Sequence, residues 1–184
     1  VLEPSADGGG LKTGRKGCGT FDVVVHGRAA HAGLEPEKGI NALVEAARQV
    51  LVINELGRPE VGTTVTPTVA IVGTADNVVP AEGRIKVDVR VESAAEKDRV
   101  EAAMAALSAV DPAATIEVTG GVNRPPMPES ASAALMPLAR SVSPGIDRFA
   151  VGGGSDGNFT AAIGVPTLDG LGAVGGGAHA DHEY

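Results

Sequence analysis

Tryptophan is absent from this 184-residue chain, tyrosine occurs once and phenylalanine three times. With so few rings the interior must be aliphatic, and at 43% hydrophobic residues the chain has enough Val, Ala, Leu and Ile to build one. The single cysteine, Cys18, excludes an internal disulfide and fits a reducing compartment, so a cytoplasmic setting is expected. No apolar run approaches the ~20 residues that span a bilayer and no signal peptide is apparent, so no membrane partner is expected. Basic residues are also scarce: 15 Lys and Arg against 23 Asp and Glu, net charge −8. That balance argues against nucleic acid, whose phosphates need clustered cations. A small anionic substrate stays open, because a local basic pocket can sit on an acidic protein.

Gly8, Gly9, Gly10, Gly14, Gly17 and Gly19 predict a turn-rich link over residues 6–19. Residues 21–26 alternate, with Phe21, Val23 and Val25 on one face of a strand. Residues 27–39 read as a loop. Ile40, Leu43, Val44, Ala47, Val50 and Leu51 recur at helical spacing, which predicts an amphipathic helix over 39–54 with that stripe inward. Residues 63–72 are β-branched and alternating, with Val65, Val69 and Ile71 on one face; Pro67 lacks a donor and marks an edge strand. Residues 83–92 alternate most cleanly: Ile85, Val87, Val89 and Val91 inward, Arg84, Lys86, Asp88 and Arg90 outward, the pattern of an antiparallel sheet covered on one face. Ser93-Ala94-Ala95-Glu96 is a capping box that opens a second helix with Val100, Ala103, Met104 and Leu107 as its stripe. Asp111-Pro112 closes that helix, and residues 115–119 form a fourth strand.

The order β-α-β-β-α-β is that of a ferredoxin-like split unit, so an α+β fold is expected, with a one-sided antiparallel sheet. It divides the chain into 1–19, 20–122 and 123–184. In the last segment residues 130–142 predict a helix kinked at Pro137, 147–151 a strand, 156–163 a helix and 165–169 a strand. These are pieces of an α/β domain too short to be complete. Together with a start at Val1 rather than Met and no closing element near Tyr184, they predict a fragment of a larger protein.

Gly153-Gly154-Ser155-Asp156-Gly157 fits the G-x-S-x-G elbow of serine hydrolases, and Asp169 and His179 follow in triad order. The spacing speaks against this reading, since those folds place further strands and helices between nucleophile and histidine. No Gly-Lys-Ser/Thr follows the glycines, so they are no P-loop. Among the four histidines, His26 ends a strand and reads as structural. His31 lies among small residues that leave its ring free to reach outward. His179 and His182 stand beside Asp181 and Glu183, a combination that suits a metal as well as it suits a polar tail.

Several segments together carry a more specific likeness: Glu3-Pro4, Ala30-His31-Ala32-Gly33, Gly39-Ile40-Asn41-Ala42, Gly73-Thr74-Ala75-Asp76-Asn77-Val78-Val79-Pro80, Val87-Asp88-Val89-Arg90, Gly152-Gly153-Gly154-Ser155-Asp156 and Gly177-Ala178-His179. In order and spacing the chain resembles the co-catalytic zinc metallopeptidases that include glutamate carboxypeptidase, aminoacylase, acetylornithine deacetylase and succinyl-diaminopimelate desuccinylase. It is most similar to the branch that releases C-terminal glutamate. The resemblance implies a dizinc catalytic domain interrupted by a ferredoxin-like lid that forms a homodimer. It implies Glu3 and His179 as ligands of the two Zn²⁺ ions. His31 would be the lid histidine that reaches into the partner's site to hold an oxyanion. Asn77, Arg90, Arg124 and the Gly153-Gly154-Ser155 backbone would bind the substrate, a small peptide or N-acyl amino acid. The family's remaining metal ligands and its general-base glutamate have no counterpart in this sequence, so this polypeptide alone is expected to be inactive. The alternatives are a dimerisation module without catalysis and, less well supported, the Ser155–Asp169–His179 hydrolase.

Overall fold

The structure is a computed structural model and describes residues 1–177, 180–182 and 184. Its contacts divide the chain into two compact units: residues 19–90 with 95–123, and residues 1–18 with 91–94 and 124–184.

Among the described residues there are eight strands: β1 (Leu11–Arg15), β2 (Gly17–His26), β3 (Ala30–His31), β4 (Thr64–Val72), β5 (Val78–Val79), β6 (Glu82–Val91), β7 (Thr115–Arg124) and β8 (Arg148–Val151). The helices are α1 (Ala42–Asn54), α2 (Ala94–Ala105), α3 (Met136–Val142) and α4 (Gly157–Ala162). The main sheet has the order β4-β6-β2-β7. With α1 between β2 and β4 and α2 between β6 and β7, this is the split β-α-β-β-α-β arrangement. Phe21, Val23, Val25, Ile85, Val87 and Val89 are buried along its covered face. Each such Val or Ile contributes roughly 1.5–3 kcal/mol by leaving water. Val100 and Met104 of α2 are fully buried, as the stripe read from the sequence requires.

Four local expectations are corrected. First, residues 6–19 are not one link. Leu11–Arg15 is a strand, paired in parallel with β8, and β2 begins at Gly17. Gly8 and Gly9 do form a turn, with φ of +68° and +83°, whereas Gly14 and Gly19 allow close approach instead. A Cβ at Gly19 would lie 2.0 Å from the carbonyl oxygen of Gly121, and one at Gly14 would lie 3.3 Å from the Ala150 side chain. Second, Val69 and Ile71 do not share a face with Val65. A bulge between Pro67 and Val69 shifts the register, so that Val65 pairs with Val89 but Val69 and Ile71 pair with Lys86 and Arg84 on the open face. Third, Pro137 does not kink a long helix. A 3₁₀ turn at Glu129–Ser132 precedes α3, and Pro137 sits in the first turn of α3, where its missing N–H costs nothing. Fourth, β7 extends to Arg124, five residues past the expected end.

The largest departure concerns α1. Its predicted inward stripe faces out: Leu43, Val44 and Leu51 are 51%, 45% and 69% exposed. The buried side carries Ala42, Glu45, Ala46, Gln49 and Ile53. Glu45 decides this orientation. Its carboxylate accepts the amides of Val110 and Asp111, both at 2.9 Å, and Gln49 Nε2 at 2.8 Å, so that it ties α1 to the loop after α2. Burial opposes the charge, but these donors and the nearby Arg48 outweigh it and hold the Glu45 pKa below its ordinary 4.5. At the helix start, Asn41 Oδ1 accepts from Leu43 and Val44 at 3.0 and 3.2 Å.

In the second unit, Leu11, Met136 and Leu168 form a small core with Leu135, Ala139 and Ile146 packed against it. An apolar groove of about 520 Å³ lies nearby, lined among others by Leu138, Val142, Val165 and Leu171. Among the described residues its lining carries no acidic or basic side chain.

Replacing Glu45 by Ala strands buried donors and is expected to cost roughly 2–4 kcal/mol in urea denaturation. Because the folded-state pKa is depressed, the wild-type advantage should be full above the ordinary glutamate range and fade as pH falls through the folded value. The gap between the two proteins should therefore narrow in acid.

Candidate functional site

The short ladder of β3 with β5 brings two of the predicted residues together. Ala30 pairs with Val79 and His31 with Val78, and the Ala32 amide donates to the Asn77 carbonyl at 2.9 Å. His31 and Asn77 thus share one exposed rim. The Gly33 amide donates to His31 Nδ1 at 3.1 Å. In the neutral ring the proton is therefore on Nε2, which is left as a donor.

Arg90 does not join this rim. It lies near the end of β6, eight positions beyond Glu82, which is about 27 Å at strand rise. It pairs across β4 with Thr64, and its guanidinium makes a two-pronged contact with Asp88, 3.0 Å on each arm.

In the other unit, the Gly-rich turn after β8 is held from beneath. Arg15 Nε donates to Asp169 Oδ2 at 2.6 Å, and Arg15 Nη1 donates to the Gly153 carbonyl at 2.5 Å. Ser155 Oγ donates to the same Asp169 oxygen at 2.5 Å, and the Gly170 amide donates to the other at 2.6 Å. The Ser155 amide donates to Asn158 Oδ1 at 2.8 Å. Asn158 Nδ2 in turn donates to the carbonyls of Lys16 and Pro125, at 3.0 and 2.8 Å. Asp169 and Asn158 are fully buried. Burial alone would raise the Asp169 pKa, but the Ser155 hydroxyl, the Gly170 amide and the Arg15 guanidinium hold it below the usual carboxylate range.

This network settles what Ser155 can do. It is 2% exposed, its hydroxyl donates straight to a carboxylate, and its amide is already taken. In a hydrolytic triad the aspartate orients a histidine, not the serine. Ser155 is therefore neither a nucleophile nor a free amide for a ligand, and its part is to anchor the turn. The amides of Gly153 and Gly154 donate to no described residue. Arg124 stands beside them: a Cβ on Gly154 would touch Arg124 Cδ at 3.5 Å and Cys18 Sγ at 2.7 Å, so no larger residue fits there. The Arg124 guanidinium lies 5.4 Å from the centre of the Phe159 ring and 3.6 Å from Asp156 Oδ1.

Glu3 is half-buried, and its backbone oxygen accepts the Gly172 amide at 2.8 Å. His179 lies outside the described residues. Among the described residues no three His, Cys, Asp or Glu side chains are grouped to hold a metal ion. Sequence reasoning missed Arg15 and Asn158, and saw Asp169 only as a triad member. The one local signal was an Asn three residues after a turn Ser, the spacing of a side chain that caps its own turn.

The ferredoxin-like unit carries an outward apolar helix face, and the other unit holds a Gly-rich turn beside an arginine. Residues 13–115 match the family described as the peptidase dimerisation domain of M20 peptidases, and the chain belongs to that family. It is 30% identical to carboxypeptidase G2 of Pseudomonas sp. (strain RS-16), a match covering 98% of this chain and 46% of that protein. It is 36% identical to the indole-3-acetyl-aspartic acid hydrolase of Enterobacter agglomerans, over 47% of this chain and 22% of that one. Among solved structures, a tripeptidase from Staphylococcus aureus superposes with a TM-score of 0.78 at 24% identity, covering 99% of this chain and 50% of that one, a likeness of fold. The chain thus spans about half the length of the relative it matches from end to end. Among the described residues no helix is long and apolar enough to cross a membrane.

Replacing Arg15 by Met leaves Asp169 buried without its cation and is expected to cost about 3–5 kcal/mol. The same change at exposed Arg58, paired with Glu96 at 3.4 Å, should cost under about 1 kcal/mol. Paired urea titrations would show the contrast.

Proposed function

We propose that this chain is the lid and carboxylate-recognition portion of an M20 hydrolase that cleaves the amide bond of a small peptide or N-acyl amino acid, with a C-terminal residue such as glutamate as the leaving group. The observation that carries the reading is the pairing of Arg124 with the unengaged amides of Gly153 and Gly154, a positively polarised turn fixed from below by Arg15 and Asp169. An arginine fork with backbone donors suits a free carboxylate. Arg90, on the lid, would bind substrate once a ligand competes with Asp88 for its guanidinium. His31 of the partner subunit, with its Nε2 proton outward, would donate to the scissile carbonyl oxygen as negative charge develops. Asn77, on the same rim, would orient that carbonyl.

Zinc is implied by the family, where it would polarise the carbonyl and activate water. Of the two ligands the resemblance implies, His179 lies outside the described residues, and among the described residues no three His, Cys, Asp or Glu side chains are grouped around Glu3. The polypeptide by itself should release no glutamate from N-acylglutamates, and calorimetry should show zinc binding weaker than micromolar. Turnover by these 184 residues, or tight stoichiometric zinc, would overturn the reading. In a longer chain that contains this one, Arg124→Lys should raise KM for a carboxylate-bearing substrate about tenfold or more, with a smaller change in kcat.

The homodimer is proposed to form through the outward stripe of α1, which packs beside the edge strand β4. Aliphatic side chains at this exposure beside a free sheet edge invite a second copy. Leu51→Lys is expected to weaken the dimer at least tenfold in sedimentation equilibrium and leave the far-UV spectrum unchanged. A wild-type chain that remains monomeric at high concentration would exclude this interface.

A further inference from the structure

Two neighbours of Arg124 on and before α4 had no place in the sequence-based site. Asp156 stands at the N-cap of α4, where an aspartate ordinarily accepts from the helix amides, yet its side chain makes no cap hydrogen bond. It is 81% exposed, and it turns to Arg124 instead, at 3.6 Å. Its backbone is fixed independently, because its carbonyl accepts the amides of Phe159 and Thr160 at 3.1 and 3.4 Å. Phe159, one of three phenylalanines in the chain, leaves 45% of its surface exposed, with its ring against the Arg124 guanidinium. A guanidinium has a flat face and a hydrogen-bonding edge. Here the guanidinium carbon lies over the ring at 5.4 Å, and Nη2 stands 3.6 Å from Asp156 Oδ1.

We infer that Phe159 is the floor that holds the Arg124 fork in place, and that Asp156 is a built-in competitor which occupies the fork until the free carboxylate of an amino acid or peptide displaces it. This rests on reading Arg124 as a carboxylate receptor. A long, exposed ion pair exchanges easily. The ring contact uses the other side of the guanidinium and need not break when the ligand changes. The two residues then act in opposite senses: Asp156 lowers the apparent affinity and Phe159 raises it. A merely structural role for both would weaken binding in each variant.

The test uses the 184-residue chain titrated with L-glutamate, followed through its arginine Nε–H resonances. Asp156→Asn is expected to tighten binding about two- to fivefold, the range of an exposed ion pair. Asp147→Asn makes the same change of net charge away from Arg124 and should leave Kd unaltered. Phe159→Leu should weaken binding about two- to fivefold and abolish the ring-current shift of the Arg124 Nε–H resonance. If Arg124→Ala weakens binding while Asp156→Asn and Phe159→Leu leave Kd unchanged, the inference fails and the carboxylate reading stands. If Arg124→Ala leaves Kd unchanged, or the wild-type chain does not bind glutamate at millimolar concentration, both fail.

Discussion

The lid depends on one buried carboxylate. Glu45 faces inward on α1 because three donors await it there: Gln49 on its own helix and two consecutive amides of the loop that leads from α2 to β7. Turning the helix to bury its aliphatic stripe would strand those amides and expose Ala42, Ala46 and Ile53. The aliphatic stripe is left outside as a consequence. A helix that buries Glu45 and Gln49 while leaving Leu43, Val44 and Leu51 exposed makes little sense in an isolated monomer, and it fits a family whose domain is described as dimerising.

The other unit solves a different problem with the same device. A turn of three successive glycines has no side chains to hold it, and Gly conformers are numerous. Arg15 grips the Gly153 carbonyl from below, and Asp169 gathers Arg15, Ser155 and Gly170 around one buried carboxyl group. Buried and fully partnered, this network trades desolvation for a single backbone shape. The Gly153 and Gly154 backbone is thereby held in one arrangement. His31 is likewise fixed on one side, since its Nδ1 accepts the Gly33 amide while the residue stays exposed.

Much of the lid was legible because its signals are local. The alternation along β6 reads directly as a sheet covered on one side, and Ile85, Val87, Val89 and Val91 are all fully buried. Periodicity along α1 identified a helix but could not say which face turns in, because that is decided by Glu45 meeting amides some 65 residues away. The bulge at Pro67–Val69 reversed the facing of Val69 and Ile71 by a single residue, an event that alternation alone does not register. The glycines of β1 and β2 looked like turns because a sequence does not show a neighbouring strand pressing against the missing Cβ. Of the site, the resemblance brought out His31, Asn77, Arg90, Arg124 and the glycine turn, whose roles are proposals. The Arg15–Asp169 pair, 154 positions apart, was invisible to any pattern in the chain.

The inverted helix is the point on which the account of assembly turns, and an intermolecular distance tests it most directly. With the sole cysteine replaced (Cys18→Ser) and a spin label attached through Ala47→Cys on the outward stripe, dipolar spectroscopy reads label-to-label separation. Two α1 helices packed face to face have axes about 8–10 Å apart, so a distance under about 25 Å is expected. Dimers with a separation of roughly twice that value, or no intermolecular coupling at all, would contradict the claim that this face is built to meet a second copy of itself.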